Sequence, residues 1–421
     1  MGQTIIQKIL ARASGGERVE PGDIAVVGID TAVLLDTNFM PHVWREVLKL
    51  ADPDKVVVVF DHKVPPPTRV SAEAHVTGRE FVKRFGIKRF HDIGRDVGIS
   101  HVLVTDRAYA LPGTVLLCAD SHTCAAGAFN CAARGVGVPE MVFAVTTGTT
   151  WFRLGVTIRY DLVGRLQPGV STKDVFLQVA AAFGDHTNQN MEFGGSGLAG
   201  LSLNARRTIA TQAAEVGAEF ATFEADTLLL DYVLAHNPAP FEAQHPDPDA
   251  NYADRRTLDL NTIEPLVALP DAVSKNAVPV GMVAGEPIQQ AFIGSCANGS
   301  LDDFAMAAGI VAGRQVAPGV RFIVTPGSQA IYRNAVAAGY VATLVEAGAI
   351  VTNSTCGACA GGHMGVLGAG ETCITASTRN FKGRMGDPTS RIFMASPATV
   401  AASALTGVIT HPGPYLRVTP A

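Results

Sequence analysis

Four consecutive valines, Val56 to Val59, run between Lys55 and Phe60. An unbroken β-branched run with no polar alternation fits a strand buried on both faces. Such strands occur in parallel sheets covered by helices. Similar short runs recur at Thr114-Val115-Leu116-Leu117-Cys118, Gln290-Ala291-Phe292-Ile293, Arg321-Phe322-Ile323-Val324 and Ala349-Ile350-Val351-Thr352. Ala-rich stretches of helical character, such as Phe304 to Ala312 and Gln329 to Ala338, lie between such runs. The alternation predicts an α/β architecture. With 421 residues, the chain exceeds the ~250–300 at which single cores usually split, so two or three domains are expected. Residues 236–256, rich in Pro, Asp and Asn, read as a surface loop.

Chemically capable residues gather just after these runs. Phe60 leads into Asp61-His62-Lys63, and Cys118-Ala119 into Asp120-Ser121-His122-Thr123. Ile293 leads into Gly294-Ser295-Cys296, Thr352 into Asn353-Ser354-Thr355-Cys356, and Ile374-Thr375 into Ser377-Thr378-Arg379-Asn380. In parallel α/β sheets the carboxyl ends of strands are where ligands bind. Several sheets aiming these ends at one cleft would build a multidomain site.

Three cysteines stand out: Cys296, and the pair in Cys356-Gly357-Ala358-Cys359. A lone CxxC is a weak signal. A thioredoxin-like role would leave Cys296 idle, and Thr355 stands where an aromatic is usual. A structural zinc site would need a fourth ligand, which Cys373 or His363 could supply. Three thiolates can also hold three corners of a cubic iron–sulfur cluster and leave the fourth iron open. Iron–sulfur ligation accounts for all three cysteines, each in a Gly-rich turn, and the zinc site stands beside it as the alternative. Cys118, Cys124, Cys131 and Cys373 read as packing residues.

Asp61-His62 and Asp120-Ser121-His122 each set a carboxylate beside an imidazole, which orients the ring and raises its basicity. Singly, each is more often a satisfied structural histidine; two at strand ends, with His101 after Gly98-Ile99-Ser100, favour a site. Arg379 and Arg384 lie five apart around Phe381 and Gly383, a pattern for a folded-back loop rather than a solvated helix face. Guanidinium forks grip carboxylates in two-point fashion.

A net charge of -5 and the lack of a Lys/Arg run argue against a nucleic-acid surface. No apolar stretch reaches the ~18–20 residues of a membrane span. The start, Met1-Gly2-Gln3-Thr4-Ile5-Ile6, carries no secretion pattern, and Ile6 replaces the Ser/Thr needed for myristoylation. Seven cysteines in such a chain are expected to be reduced thiols in the cytoplasm.

Together these segments resemble the aconitase superfamily, most closely the isopropylmalate dehydratase large subunits. The resemblance covers nearly the whole chain. It is carried by Asp61-His62, Ala119-Asp120-Ser121-His122-Thr123, Gly294-Ser295-Cys296-Ala297-Asn298, Cys356-Gly357-Ala358-Cys359 and Arg379-Asn380-Phe381-Lys382-Gly383-Arg384-Met385-Gly386. It implies three α/β/α domains around a central cleft, expected at 1–155, 156–285 and 286–421, without the family's swivelling fourth domain. It implies a [4Fe–4S] cluster on Cys296, Cys356 and Cys359. It implies His62, paired with Asp61, as proton donor to a departing hydroxyl, with His101–Asp120 and His122–Glu215 as further pairs. Ser121, Asn298, Arg379 and Arg384 would contact substrate. The implied activity is that of a leucine-biosynthesis hydro-lyase, dehydrating, hydrating or isomerising a hydroxy-dicarboxylic acid such as 3-isopropylmalate.

The family's base is a serine in a Gly-Ser-Ser-Arg-like loop. Gly194-Gly195-Ser196-Gly197 lacks the second Ser and the Arg, so a small-subunit partner carrying that serine is expected. Other departures bear on substrate. Thr378 and Thr211 stand where Asn is common, Leu35 where a polar residue is usual, and Thr105-Asp106 where Pro-Glu is usual. A threonine hydroxyl replaces one amide hydrogen bond, not two. A different acid, such as dimethylmalate, citramalate, maleate or a homoaconitate-type substrate, is the alternative. A cluster-dependent regulatory or RNA-binding protein and a zinc-structured, non-catalytic subunit are the readings of another class.

Overall fold

The computed structural model describes residues 2–416, so Met1 and the last five residues of the expected third domain lie outside it. The expected α/β class is observed, with the strands sorted into sheets by chain order. The first sheet has strand order Arg89–His91, Val56–Val59, Thr31–Leu35, Val115–Cys118, Ala132–Gly135, all parallel. Its four valines are at most 1% exposed, as a two-sided burial requires. A separate antiparallel ribbon pairs Ile24–Gly28 with Thr149–Arg153.

The second sheet is also parallel, in the order Ala221–Phe223, Gln189–Gly194, Val156–Val163, Asp254–Asp259. The last of these strands begins inside the stretch 236–256 expected to be a loop. Its exposed, charged start, Asp254-Arg255-Arg256, hides an edge strand from a reading based on apolar runs.

The third sheet has seven strands, in the order Ala277–Pro279, Leu266–Ala268, Arg391–Ala395, Thr372–Thr375, Gln290–Ile293, Arg321–Val324, Ile350–Val351. Five run parallel, and the first two are antiparallel additions at one edge. This sheet therefore starts at Leu266, upstream of the expected divide at 285/286. The two early strands are three residues each, too short for the apolar-run signal.

Two strand orders position the site. In the first sheet, Thr31–Leu35 lies between Val56–Val59 and Val115–Cys118, so Asp36, Asp61-His62 and Asp120-His122 leave three adjacent strands. In the third, Thr372–Thr375, Gln290–Ile293, Arg321–Val324 and Ile350–Val351 are neighbours, so Thr378-Arg379, Cys296 and Cys356 leave the same sheet edge.

Candidate active site

His62, His101, Asp120, His122, Cys296, Cys356, Cys359 and Arg384 line one small cavity of about 20 Å³. A larger cleft lies beside Leu103, Phe129 and Ile331 but contains none of these groups, so size does not mark the chemistry.

Cys296 follows its strand through Gly294 and Ser295; the latter has φ of +77°, rare for a residue with a side chain. That turn swings the thiol off the strand axis into the cavity. Cys356 precedes a single 3₁₀ turn, Gly357–Ala360, which brings Cys359 back to the same side; the Cys359 N–H donates to the Cys356 carbonyl at 3.0 Å. All three thiols are free. Burial pushes Cys356 up to about 12. Cys359 lies below the usual thiol range: burial opposes this, but the Arg384 charge and the Thr378 contacts outweigh it.

Asp120 joins the histidines. Its Oδ1 lies 2.8 Å from His101 Nε2 and accepts the His122 N–H at 2.8 Å; its Oδ2 lies 3.5 Å from His62 Nε2. Burial works against its charge, but these histidines hold its carboxyl well below the carboxylate range. His62 Nδ1 sits 2.6 Å from Asp61 Oδ1, and Asp61 Oδ2 accepts the Ser100 N–H at 2.7 Å. The Asp61 and Asp120 carboxylates outweigh burial and raise His62 well above its ordinary value. His122 Nε2 lies 2.7 Å from Glu215 Oε1, and the same oxygen accepts Arg379 Nε at 2.8 Å. Arg379 Nη2 donates to Ser121 Oγ at 2.7 Å.

Not every expected site residue reaches the cavity. Asn298 is buried, with its amide nitrogen bonded to Asp303 Oδ1 at 3.0 Å, and it is not among the lining residues. Arg379 spans Glu215 and Ser121 at the side, leaving Arg384 as the arginine on the wall. The threonine and leucine departures also separate. Thr378 lines the cavity with its hydroxyl 3.7 Å from Cys359 Sγ. Thr211 bonds back to the Arg207 carbonyl of its own helix at 2.7 Å, so it replaces no amide toward a ligand. Leu35 lies in the apolar core, fully buried. Thr105 is buried and accepts a hydrogen bond from Arg207 at 2.9 Å.

Two residues were missed. Asp36 accepts the N–H groups of Asp61, His62 and Lys63. Its position directly after a buried strand was the available signal. Lys173 is fully buried and donates to the Ser377 carbonyl at 2.7 Å; burial pulls it down to about 7 against the charges of Cys359 and Cys296. A lysine in an apolar helix run, Thr172-Lys173-Asp174-Val175-Phe176-Leu177, carries no signal of that depth.

The donor set tests which inorganic group fits. Three thiolates around one tetrahedral zinc would lie about 3.8 Å apart, from a Zn–S distance of ~2.3 Å. Among the described residues, the one His/Cys/Asp/Glu group with ligand atoms within 4.8 Å of one another is Asp61, His62 and Cys356, and it excludes the cysteine trio. Cys373 bonds near Gln290 and Ile374 and is absent from the cavity wall, as is His363. The three thiols therefore do not all close on one tetrahedral ion. Arg384 Nε is buried without a partner beside it, a donor awaiting an acceptor.

The profile of the aconitase family (aconitate hydratase) matches residues 46–407. The 3-isopropylmalate dehydratase large subunit of Mycolicibacterium smegmatis is 53% identical over 97% of this chain and 97% of its own length. Large subunit 1 of that enzyme from Methanopyrus kandleri is 42% identical over 99% of this chain and all of its own. The probable methanogen homoaconitase large subunit of Methanothermobacter thermautotrophicus is 39% identical, covering 96% of each chain.

Proposed function

This chain belongs to the aconitase family, and on that premise we propose that it is the cluster-binding large subunit of a two-subunit hydro-lyase acting on 3-isopropylmalate. The observation that carries the reading is the meeting of three thiols, three histidines and Arg384 in one cavity. The family is one of iron–sulfur enzymes. Cys296, Cys356 and Cys359 would hold a [4Fe–4S] cluster, which when bound supplies an open iron as Lewis acid toward hydroxyl and carboxylate.

The chain's residues then act as follows. His62, held by Asp61 at 2.6 Å, gives its proton to the departing hydroxyl, which leaves as water. Asp120 keeps His101 in place at 2.8 Å and anchors the main chain of His122 by accepting its backbone N–H. Glu215 fixes the other edge of His122. Arg384 grips a substrate carboxylate, and Arg379 completes the clamp from the Glu215–Ser121 side. Arginine charge there stabilises the electron-rich carboxylate formed as the neighbouring carbon loses its proton. The small-subunit partner supplies the serine base that takes that proton. Re-addition of water reverses the same transfers, so one site serves dehydration, hydration and isomerisation.

Substrate choice is tested by ranking kcat/KM for 3-isopropylmalate against dimethylmalate, citramalate and a homoaconitate-type acid. The reading expects 3-isopropylmalate to lead; a homoaconitate-type acid leading would move the assignment to that substrate.

A further inference from the structure

We propose that Asp36 is a positioning residue that, with Thr355 on the opposite side, clamps the Asp61-His62-Lys63 turn and ties the His62 imidazole to the cysteine loop. This rests on His62 being the proton donor.

The placement follows from strand register. Thr31–Leu35 runs parallel to Val56–Val59 with Leu35 opposite Val59, so Asp36 emerges beside Phe60 and the turn that follows it. The carboxylate is 1% exposed. Its Oδ1 accepts the N–H groups of Asp61 at 3.2 Å and His62 at 3.0 Å, and its Oδ2 that of Lys63 at 2.8 Å. Three successive main-chain donors on one carboxylate form an anion nest closed by the protein itself. His75, stacked on Phe60 at 4.5 Å, lies 3.7 Å from Oδ2 and backs the carboxylate from the helix Arg69–Phe85.

The other side of the turn is held from the third sheet. The Asp61 carbonyl accepts both the Thr355 hydroxyl at 2.8 Å and the Cys356 N–H at 2.9 Å. The Val64 carbonyl accepts Asn353 Nδ2 at 3.1 Å, and the His62 carbonyl faces His363 Nε2 at 3.1 Å. The turn bearing the imidazole and the loop bearing Cys356 therefore share main-chain hydrogen bonds across two sheets. Freeing one edge lets the imidazole drift, and a displacement of ~1 Å in a reacting group costs on the order of 100-fold in rate.

The test uses the two-subunit holoenzyme with the D36N, T355V and H62A variants. D36N turns one acceptor oxygen into a donor facing an N–H; T355V deletes one hydroxyl and leaves the cysteines untouched. Hydrogen exchange of the 61–63 amides, iron and sulfide content, kcat and KM are read together. Exchange is expected to rise roughly tenfold in D36N, with kcat down about 10–100-fold and KM within about twofold. T355V is expected to lower kcat by roughly 3–10-fold and to speed cluster loss in air. If D36N does not fold, T355V carries the test alone. Unchanged 61–63 exchange and unchanged cluster retention in the folded variants would overturn the proposal. Full turnover by H62A would sink the proton-donor reading instead, without altering the exchange result.

Discussion

Asp120 accepts the His122 main-chain N–H with the same oxygen that lies 2.8 Å from His101 Nε2, so one carboxylate fixes the His101 imidazole and the backbone that carries His122. Its other oxygen lies 3.5 Å from His62 Nε2. Asp120→Asn halves this acceptor capacity and removes the charge. We expect kcat to fall by roughly 100–10,000-fold with the cluster spectrum retained, read by steady-state kinetics beside visible absorbance.

The cysteines divide by position rather than by burial. Cys356 faces the cavity, while Cys373 is packed under the third sheet beside Gln290. Cys356→Ser should abolish both colour and activity. Cys373→Ser should keep both, and iron analysis of the anaerobically purified variants decides it.

Gly135 closes the last strand of the first sheet, where an added Cβ would collide with the Asp120 carbonyl. Gly135→Ala therefore forces Asp120 to move or the strand to part. The expected destabilisation is roughly 3 kcal/mol, with activity lost before the fold. Denaturant unfolding and turnover on one preparation compare the two.

Asp36 adds a pH dependence to stability. Burial raises its pKa, but His75, the His62 charge and the main-chain donors together lower it from 3.8 to about 2. A depressed carboxylate stabilises the fold fully above the unfolded value of 3.8, and that contribution is lost as pH falls through about 2. It amounts to about 2 kcal/mol. Between pH 5 and pH 2, Asp36→Asn should lose correspondingly less stability than the parent chain in chemical denaturation.

The strand-end rule made most of this site legible. Val56–Val59 announced a buried parallel strand, and the polar residues after it, Asp61 and His62, meet Asp120 and Cys356 as that rule anticipates. Short, polar or antiparallel edges escaped: Asp254–Asp259 carries charge where a strand reading seeks apolar residues, and Leu266–Ala268 is three residues long. Side-chain direction escaped as well. Thr211 and Thr378 read alike in sequence, yet one hydroxyl turns back onto its helix and the other faces Cys359. Asn298 lies two residues after Cys296 in sequence but is claimed by Asp303. Those outcomes depend on helix phase and on which nearby turn claims each side chain, which a pattern of apolar runs does not encode.

The most direct measurement is turnover by the chain reconstituted anaerobically with iron and sulfide and mixed with its small subunit. With 3-isopropylmalate, ultraviolet absorbance of the unsaturated product should rise only when both subunits and the cluster are present, and it should vanish in Cys356→Ser. A cluster-loaded two-subunit preparation that leaves 3-isopropylmalate and the other substituted malates unchanged would contradict the account.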